Sequence, residues 1–123
     1  MTNQITNENK YVVFDLDETI GHFILIRNIW SSLVRFINYN NINYSLTQDD
    51  FNKILDKFPG LFRPGILPIL SSLKKKKQNG LCKGIMIYTN NRYPKQWIDQ
   101  LIKYIEYKLG GGVFDNIILA FKL

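Results

Sequence analysis

Two carboxylates stand two residues apart at Asp15 and Asp17, directly after the apolar run Tyr11, Val12, Val13 and Phe14. Alternate residues of an extended segment project to the same side, so both aspartates can address one small site. Carboxylates that close repel each other, which favours a divalent cation between them or a proton retained on one. Either outcome serves proton transfer or metal-assisted chemistry. The competing use is structural, since aspartate after a strand also makes a turn or caps the next helix. A calcium loop does not fit: counted from Asp15, its glycine and glutamate positions are taken by Ile20 and Ile26.

For these side chains to act, the surrounding elements must bring strand ends to one place. Tyr11–Leu16 reads as a first strand, Lys83–Thr89 ("KGIMIYT") as a second and Asn116–Phe121 ("NIILAF") as a third. Their apolar runs are continuous, the pattern of strands covered on both faces of a parallel sheet. After Arg63-Pro64-Gly65, a stripe of Ile66, Leu67, Ile69, Leu70 and Leu73 runs into Lys74–Lys77 and stops at Asn79-Gly80, a helix with a marked end. Pro94 opens another stripe, with Trp97, Ile98, Leu101, Ile102, Ile105 and Leu109, closed by Gly110, Gly111 and Gly112. The segment from Phe23 to Pro59 holds two more helical patterns. One lies around Ile29, Trp30, Leu33, Val34 and Ile37; the other opens at Thr47 with Asp50 at capping-box spacing, ahead of Phe51, Ile54, Leu55 and Phe58. Strands alternating with helices predict an α/β fold with a mainly parallel sheet and ligands at the carboxyl ends of its strands. Asp15, Asp17 and Thr89 all fall at such ends.

The stretch "FDLDETIGH", Phe14–His22, resembles the first motif, Asp-x-Asp-x-Thr, of the haloacid dehalogenase (HAD) superfamily. It is most similar to the C-terminal-domain phosphatases of the FCP/SCP type, whose motif order is matched by Asp15, Leu16, Asp17, Glu18, Thr19 and His22. The Arg63-Pro64-Gly65 triplet before an amphipathic helix and the apolar strand ending at Thr89 extend the resemblance over about the first three quarters of the chain. It implies a HAD-like (Rossmannoid) domain over residues 11–123, partial because it stops after the third strand. Residues 1–10 would be a flexible leader, and 24–60 a helical cap-like insertion after strand one.

The resemblance also implies roles. Asp15 would be the nucleophile that forms an aspartyl-phosphate while its other oxygen binds Mg²⁺. Asp17 would be the general acid and base, with its backbone carbonyl on the metal, and an aspartate there favours phosphate-ester hydrolysis over dehalogenation. Thr89 would offer its hydroxyl to a phosphoryl oxygen, aided by the backbone N–H of Asn90. Arg63 and Arg92 are candidate phosphate donors, although surface arginines are commonly just solvated. His22 belongs to the motif, but a lone histidine beside an apolar segment is more often packed or hydrogen-bonded than catalytic.

Family members carry a third-motif lysine and a later acidic motif that completes the magnesium shell. Here Asp115 precedes the third strand and Lys122 closes it, and neither takes those positions. The expectation is a lineage of magnesium-dependent phosphatases acting on a phosphomonoester or phosphoprotein, with weak or no activity in a chain that ends at Leu123. The family's insertion is typically a small β-structure, whereas this one reads as helical, which leaves open whether the substrate is a phosphoserine peptide or a small phosphomonoester.

Composition bounds the alternatives. A chain of 123 residues with 46% hydrophobic content suits one compact core. The formal net charge of +6 attracts phosphates, nucleic acids or acidic surfaces. The alternative function is therefore a non-catalytic basic module that holds nucleic acid or an acidic partner. Nucleic acid is not favoured, because the lysines are not interleaved with aromatics and no recognised motif is present. Lys74–Lys77 read as the solvated end of a helix, complementing its dipole. Trp30 and Trp97 read as core. Cys82 is the sole cysteine, so neither an intrachain disulfide nor a cysteine metal site can form, in keeping with a reducing compartment. The apolar run after Phe23 is broken by Arg27, Asn28 and Arg35, and Met1–Lys10 lacks the apolar core of a secretory signal. The expectation is a cytoplasmic or nuclear protein, neither secreted nor membrane-bound.

Overall fold

The computed structural model describes residues 10–90 and 93–120. Three parallel strands, β1 (Tyr11–Asp15), β2 (Gly84–Thr89) and β3 (Asn116–Leu119), pair in the order β1-β2-β3. Helices α1 (Ile24–Tyr39), α2 (Gln48–Leu55) and α3 (Ile66–Gln78) lie between β1 and β2, and α4 (Lys95–Lys108) lies between β2 and β3. This is an α/β protein compatible with a Rossmann-like fold. Asp15 pairs with Tyr88, and Thr89 with Leu119, so the register carries the carboxyl ends of β1 and β2 to one edge.

The helices end where backbone chemistry stops them. At α3, Leu81 N–H donates to Lys76 O and Gly80 N–H to Lys77 O, with Gly80 at φ 76°, a left-handed turn that glycine adopts without a Cβ clash. At α4, Gly110 at φ 80° repeats this, and Gly111 N–H reaches Glu106 O. The start of α2 is a reciprocal box: Thr47 Oγ1 accepts from the Asp50 amide at 3.1 Å, and Asp50 Oδ2 accepts from the Thr47 amide at 2.9 Å.

Layering corrects one expectation. Val12, Phe14, Ile85, Ile87, Ile117 and Leu119 face the helices and join the core, but Tyr11 and Val13 on the other face of β1 are about half exposed, at 49% and 50%. Continuous apolar runs predicted cover on both faces. Instead, among the described residues, the helical side chains of both core clusters pack on a single face, and β1 is an edge strand with its second face half exposed. A continuous run records strand propensity as well as burial, which is why the pattern overstated the cover.

The main core is unusually aromatic. Phe51 is fully buried, with ring centroids 5.0 Å from Trp30, 5.3 Å from Trp97 and 6.5 Å from Tyr104, all in edge-on geometry. Since Trp30 belongs to α1, Phe51 to α2, and Trp97 and Tyr104 to α4, the inserted helices share the core of the sheet rather than forming one of their own.

The lysine run is also corrected in part. Lys74 Nζ donates to Leu109 O at 3.1 Å, while Lys77 Nζ donates to Val113 O at 2.8 Å and pairs with Asp115 at 3.1 Å. These two lysines tie the end of α3 to the segment entering β3, and only Lys75 and Lys76 remain on the exposed side. Asp115 also accepts from the Ile85 amide at 2.8 Å. Burial pushes its carboxyl up, but the Ile85 N–H and the Lys77 ammonium outweigh it, so its pKa lies below the ordinary value of 3.8. A depressed native pKa stabilises the fold above the unfolded value, and this contribution is lost as pH falls through the native value. Asp115→Asn should therefore cost about 1 kcal/mol near pH 7, allowing for solvent screening of a half-exposed pair. The difference from wild type should shrink on acidification below about pH 4. Urea titrations of both proteins at pH 7 and pH 3 check this; an equal deficit at both values would refute it.

Candidate active site

The segment joining β1 to α1 is a tight hydrogen-bonded loop. Ile20 N–H donates to Leu16 O at 3.1 Å and Glu18 N–H to Gly21 O at 2.9 Å, while Glu18 takes φ 66°, rare for a residue with a Cβ. Leu16 and Ile20 are wholly buried and anchor the loop in the core. The aspartates flanking Leu16 are thereby held at the strand's carboxyl end.

Their environments differ. Asp15 is exposed, and its Oδ1 accepts the Leu16 amide at 2.8 Å, which ties down one oxygen of the carboxyl group. Asp17 is half-buried, with its Oδ1 shielded from solvent. Thr89 is 1% exposed and is the buried polar residue of the core, at the end of the neighbouring strand. Asn90 follows it, exposed. The fold thus gathers Asp15, Asp17, Thr89 and Asn90 at one edge of the sheet. The strand register puts Asp15 on the open-face row with Tyr88, and Thr89 on the helix-side row with Ile87, so the carboxylate and the hydroxyl can meet only beyond the strand ends.

A second segment closes on the loop. His22 N–H donates to Leu61 O at 2.8 Å and Arg63 N–H to Ile20 O at 3.0 Å, with a bridge between Gly21 and Phe62. Gly21 makes this approach feasible, because a Cβ there would sit 2.4 Å from Leu61 O and 2.5 Å from the Phe23 ring. The glycine of the motif is a positioning residue that spacing did not single out. Gly21→Ala should cost about 1–3 kcal/mol by forcing the two backbones apart. A thermal melt reads this directly, and an unchanged midpoint would contradict the close approach.

The other sequence candidates sort plainly. His22 is exposed and its Nδ1 pairs with Glu18 Oε2 at 2.9 Å, so it is hydrogen-bonded rather than packed. Arg63 is exposed. Asn91, Arg92 and Lys122 lie outside the described residues. Asp115 is engaged with Ile85 and Lys77, as a structural group.

Among the described residues, no cluster of three or more His, Cys, Asp or Glu side chains could cage a metal ion. Two carboxylates fit Mg²⁺ in its usual habit, because this cation keeps most of its water and takes one or two protein carboxylates plus substrate phosphate. Asp15 and Asp17 are the two carboxylates at this edge that could take part in holding such an ion. No helix among the described residues is long and apolar enough to cross a membrane.

Comparison with protein-family models, curated proteins and solved structures gives no match. Architecture and geometry alone define the class: an α/β protein with parallel strands and an acidic pair at the carboxyl end of its first strand.

Proposed function

We propose that the chain is a HAD-type phosphatase that works through an aspartyl-phosphate, with a phosphomonoester or phosphoprotein as substrate. The observation that carries this reading is the convergence of Asp15, Asp17 and Thr89 at the carboxyl ends of two adjacent parallel strands, where α/β proteins bind ligands.

In this mechanism a carboxylate oxygen of Asp15 attacks phosphorus, forming an O–P bond as the ester O–P bond breaks. Asp17 gives its proton to the departing alkoxide, since an unprotonated alkoxide leaves poorly. Water then attacks the same phosphorus, Asp17 takes its proton, and cleavage of the O–P bond to Asp15 releases phosphate. Thr89 and the Asn90 amide orient the phosphoryl oxygens. Mg²⁺ held by Asp15 and Asp17 would offset the repulsion between the attacking carboxylate and the anionic phosphoryl group. With two carboxylates to hold the ion, the expected activity is weak.

The basic-module alternative draws less support, because Lys74 and Lys77 are committed to internal contacts. The test is release of nitrophenol from p-nitrophenyl phosphate with Mg²⁺ and after chelation with EDTA. Turnover that ignores the chelator, or salt-sensitive RNA binding with no turnover, would reject the phosphatase reading.

A further inference from the structure

Between α1 and α4 lies a cavity of about 280 Å³, close to the smallest small-molecule sites, roughly 300 Å³. Trp30, Trp97 and Val34 supply apolar walls. Arg27 and Arg35 also line it, and no acidic residue among the described residues does. Arginines beside aromatic walls therefore favour a ligand that is both aromatic and anionic.

Two lining residues sharpen this. Arg27 Nε and Trp97 Nε1 are buried donors with no hydrogen-bond partner among the described residues, and Trp97 is only 5% exposed. A buried donor left without an acceptor is destabilising, so a pair of them on one cavity is a standing demand for an acceptor. The Arg27 guanidinium is already oriented: it stacks 3.7 Å above the Tyr93 ring and donates to Asn28 Oδ1 at 2.9 Å. Both donors belong to lining side chains but are themselves shielded from solvent, so engaging them requires a rotation of the guanidinium or the indole.

We propose that this cavity binds an aryl anion, a carboxylate or phosphate carried on an aromatic ring. The ring packs against the tryptophans, the anionic oxygens take the Arg27 and Trp97 donors, and Arg35 adds charge at the rim. None of Asp15, Asp17 or Thr89 lines the cavity, so the inference stands apart from the hydrolytic reading.

The chain's two tryptophans both line this cavity, which makes tryptophan fluorescence, excited selectively over the tyrosines, a reporter of it. The experiment titrates Asp15→Asn protein, without metal, at constant ionic strength, with benzoate, phenyl phosphate, inorganic phosphate and benzyl alcohol. A saturable response to benzoate or phenyl phosphate is expected, and the tighter of the two identifies the anion as carboxylate or phosphate. Arg35→Glu should weaken it about tenfold or more, while circular dichroism stays unchanged because Arg35 is exposed. Arg27→Gln should weaken it as well. The proposal is overturned if neither aryl anion gives a saturable response. It is equally overturned if benzyl alcohol or inorganic phosphate binds as well as the aryl anions, or if Arg35→Glu leaves the affinity unchanged.

Discussion

Asp15→Asn brings magnesium-dependent release of nitrophenol down to the uncatalysed background, a loss of the whole metal-dependent rate however weak it is in the wild type, since the covalent route loses its nucleophile. The fold should survive. Asparagine keeps the Oδ1 that accepts the Leu16 amide, and the side chain is exposed, so the unfolding midpoint should stay within about 0.5 kcal/mol of wild type. Asp17→Asn makes the informative contrast. Nitrophenolate leaves without a proton, so the first half-reaction tolerates the loss of the acid, whereas hydrolysis of the aspartyl-phosphate still needs the base. The expected trace is a burst of about one nitrophenol per protein, followed by a steady rate lowered about 10²–10⁴-fold. Activity retained in Asp15→Asn would remove this carboxylate from the mechanism altogether.

Phe51→Ala should be the most destabilising single change in the core, at about 3–5 kcal/mol. The phenyl ring is the shared neighbour of Trp30, Trp97 and Tyr104, so its removal opens a void on three sides at once. Against a typical domain stability of about 5–15 kcal/mol, this is a large fraction. Urea denaturation should show a much lower midpoint with an unchanged slope, the sign of lost stability without a change in the exposed surface. A loss under about 1 kcal/mol would mean that α1, α2 and α4 close over the gap and are not held by this hub.

What could be read from the sequence followed from local chemistry. The Thr47–Asp50 box, the Asn79-Gly80 stop and the Gly110 stop each depend on residues within one turn, and each forms as their spacing predicts. The acidic pair was legible for the same reason, because a strand followed by Asp-x-Asp fixes where the carboxylates emerge. Contacts across long sequence separations were not legible. Nothing near Lys77 announces Asp115 or Val113, and nothing near Gly21 announces the Leu61 carbonyl packed against it. The apolar runs of the strands promised burial, but whether a face is covered depends on where the helices go, and here the helices of both clusters go to one side. Trp30 and Trp97 were read as core, which they are, yet the same rings also line a cavity that only their packing against Arg27 and Arg35 defines.

The half-exposed face and outer edge of β1 bear on how the protein behaves in a concentrated solution. Among the described residues, the outer edge of β1, with the backbone groups of its alternate residues turned away from β2 and two half-exposed apolar side chains, is a template on which a foreign strand can add. Charge guards both ends of it: Lys10 and Lys83 flank the start, with Lys83 Nζ 5.6 Å from the Tyr11 ring, and Asp15 closes the strand. The net charge of +6 keeps copies apart at ordinary ionic strength. In about 1 M salt the screening length falls to roughly 3 Å. The fold itself survives there, and β1 becomes the seam along which chains stick to one another.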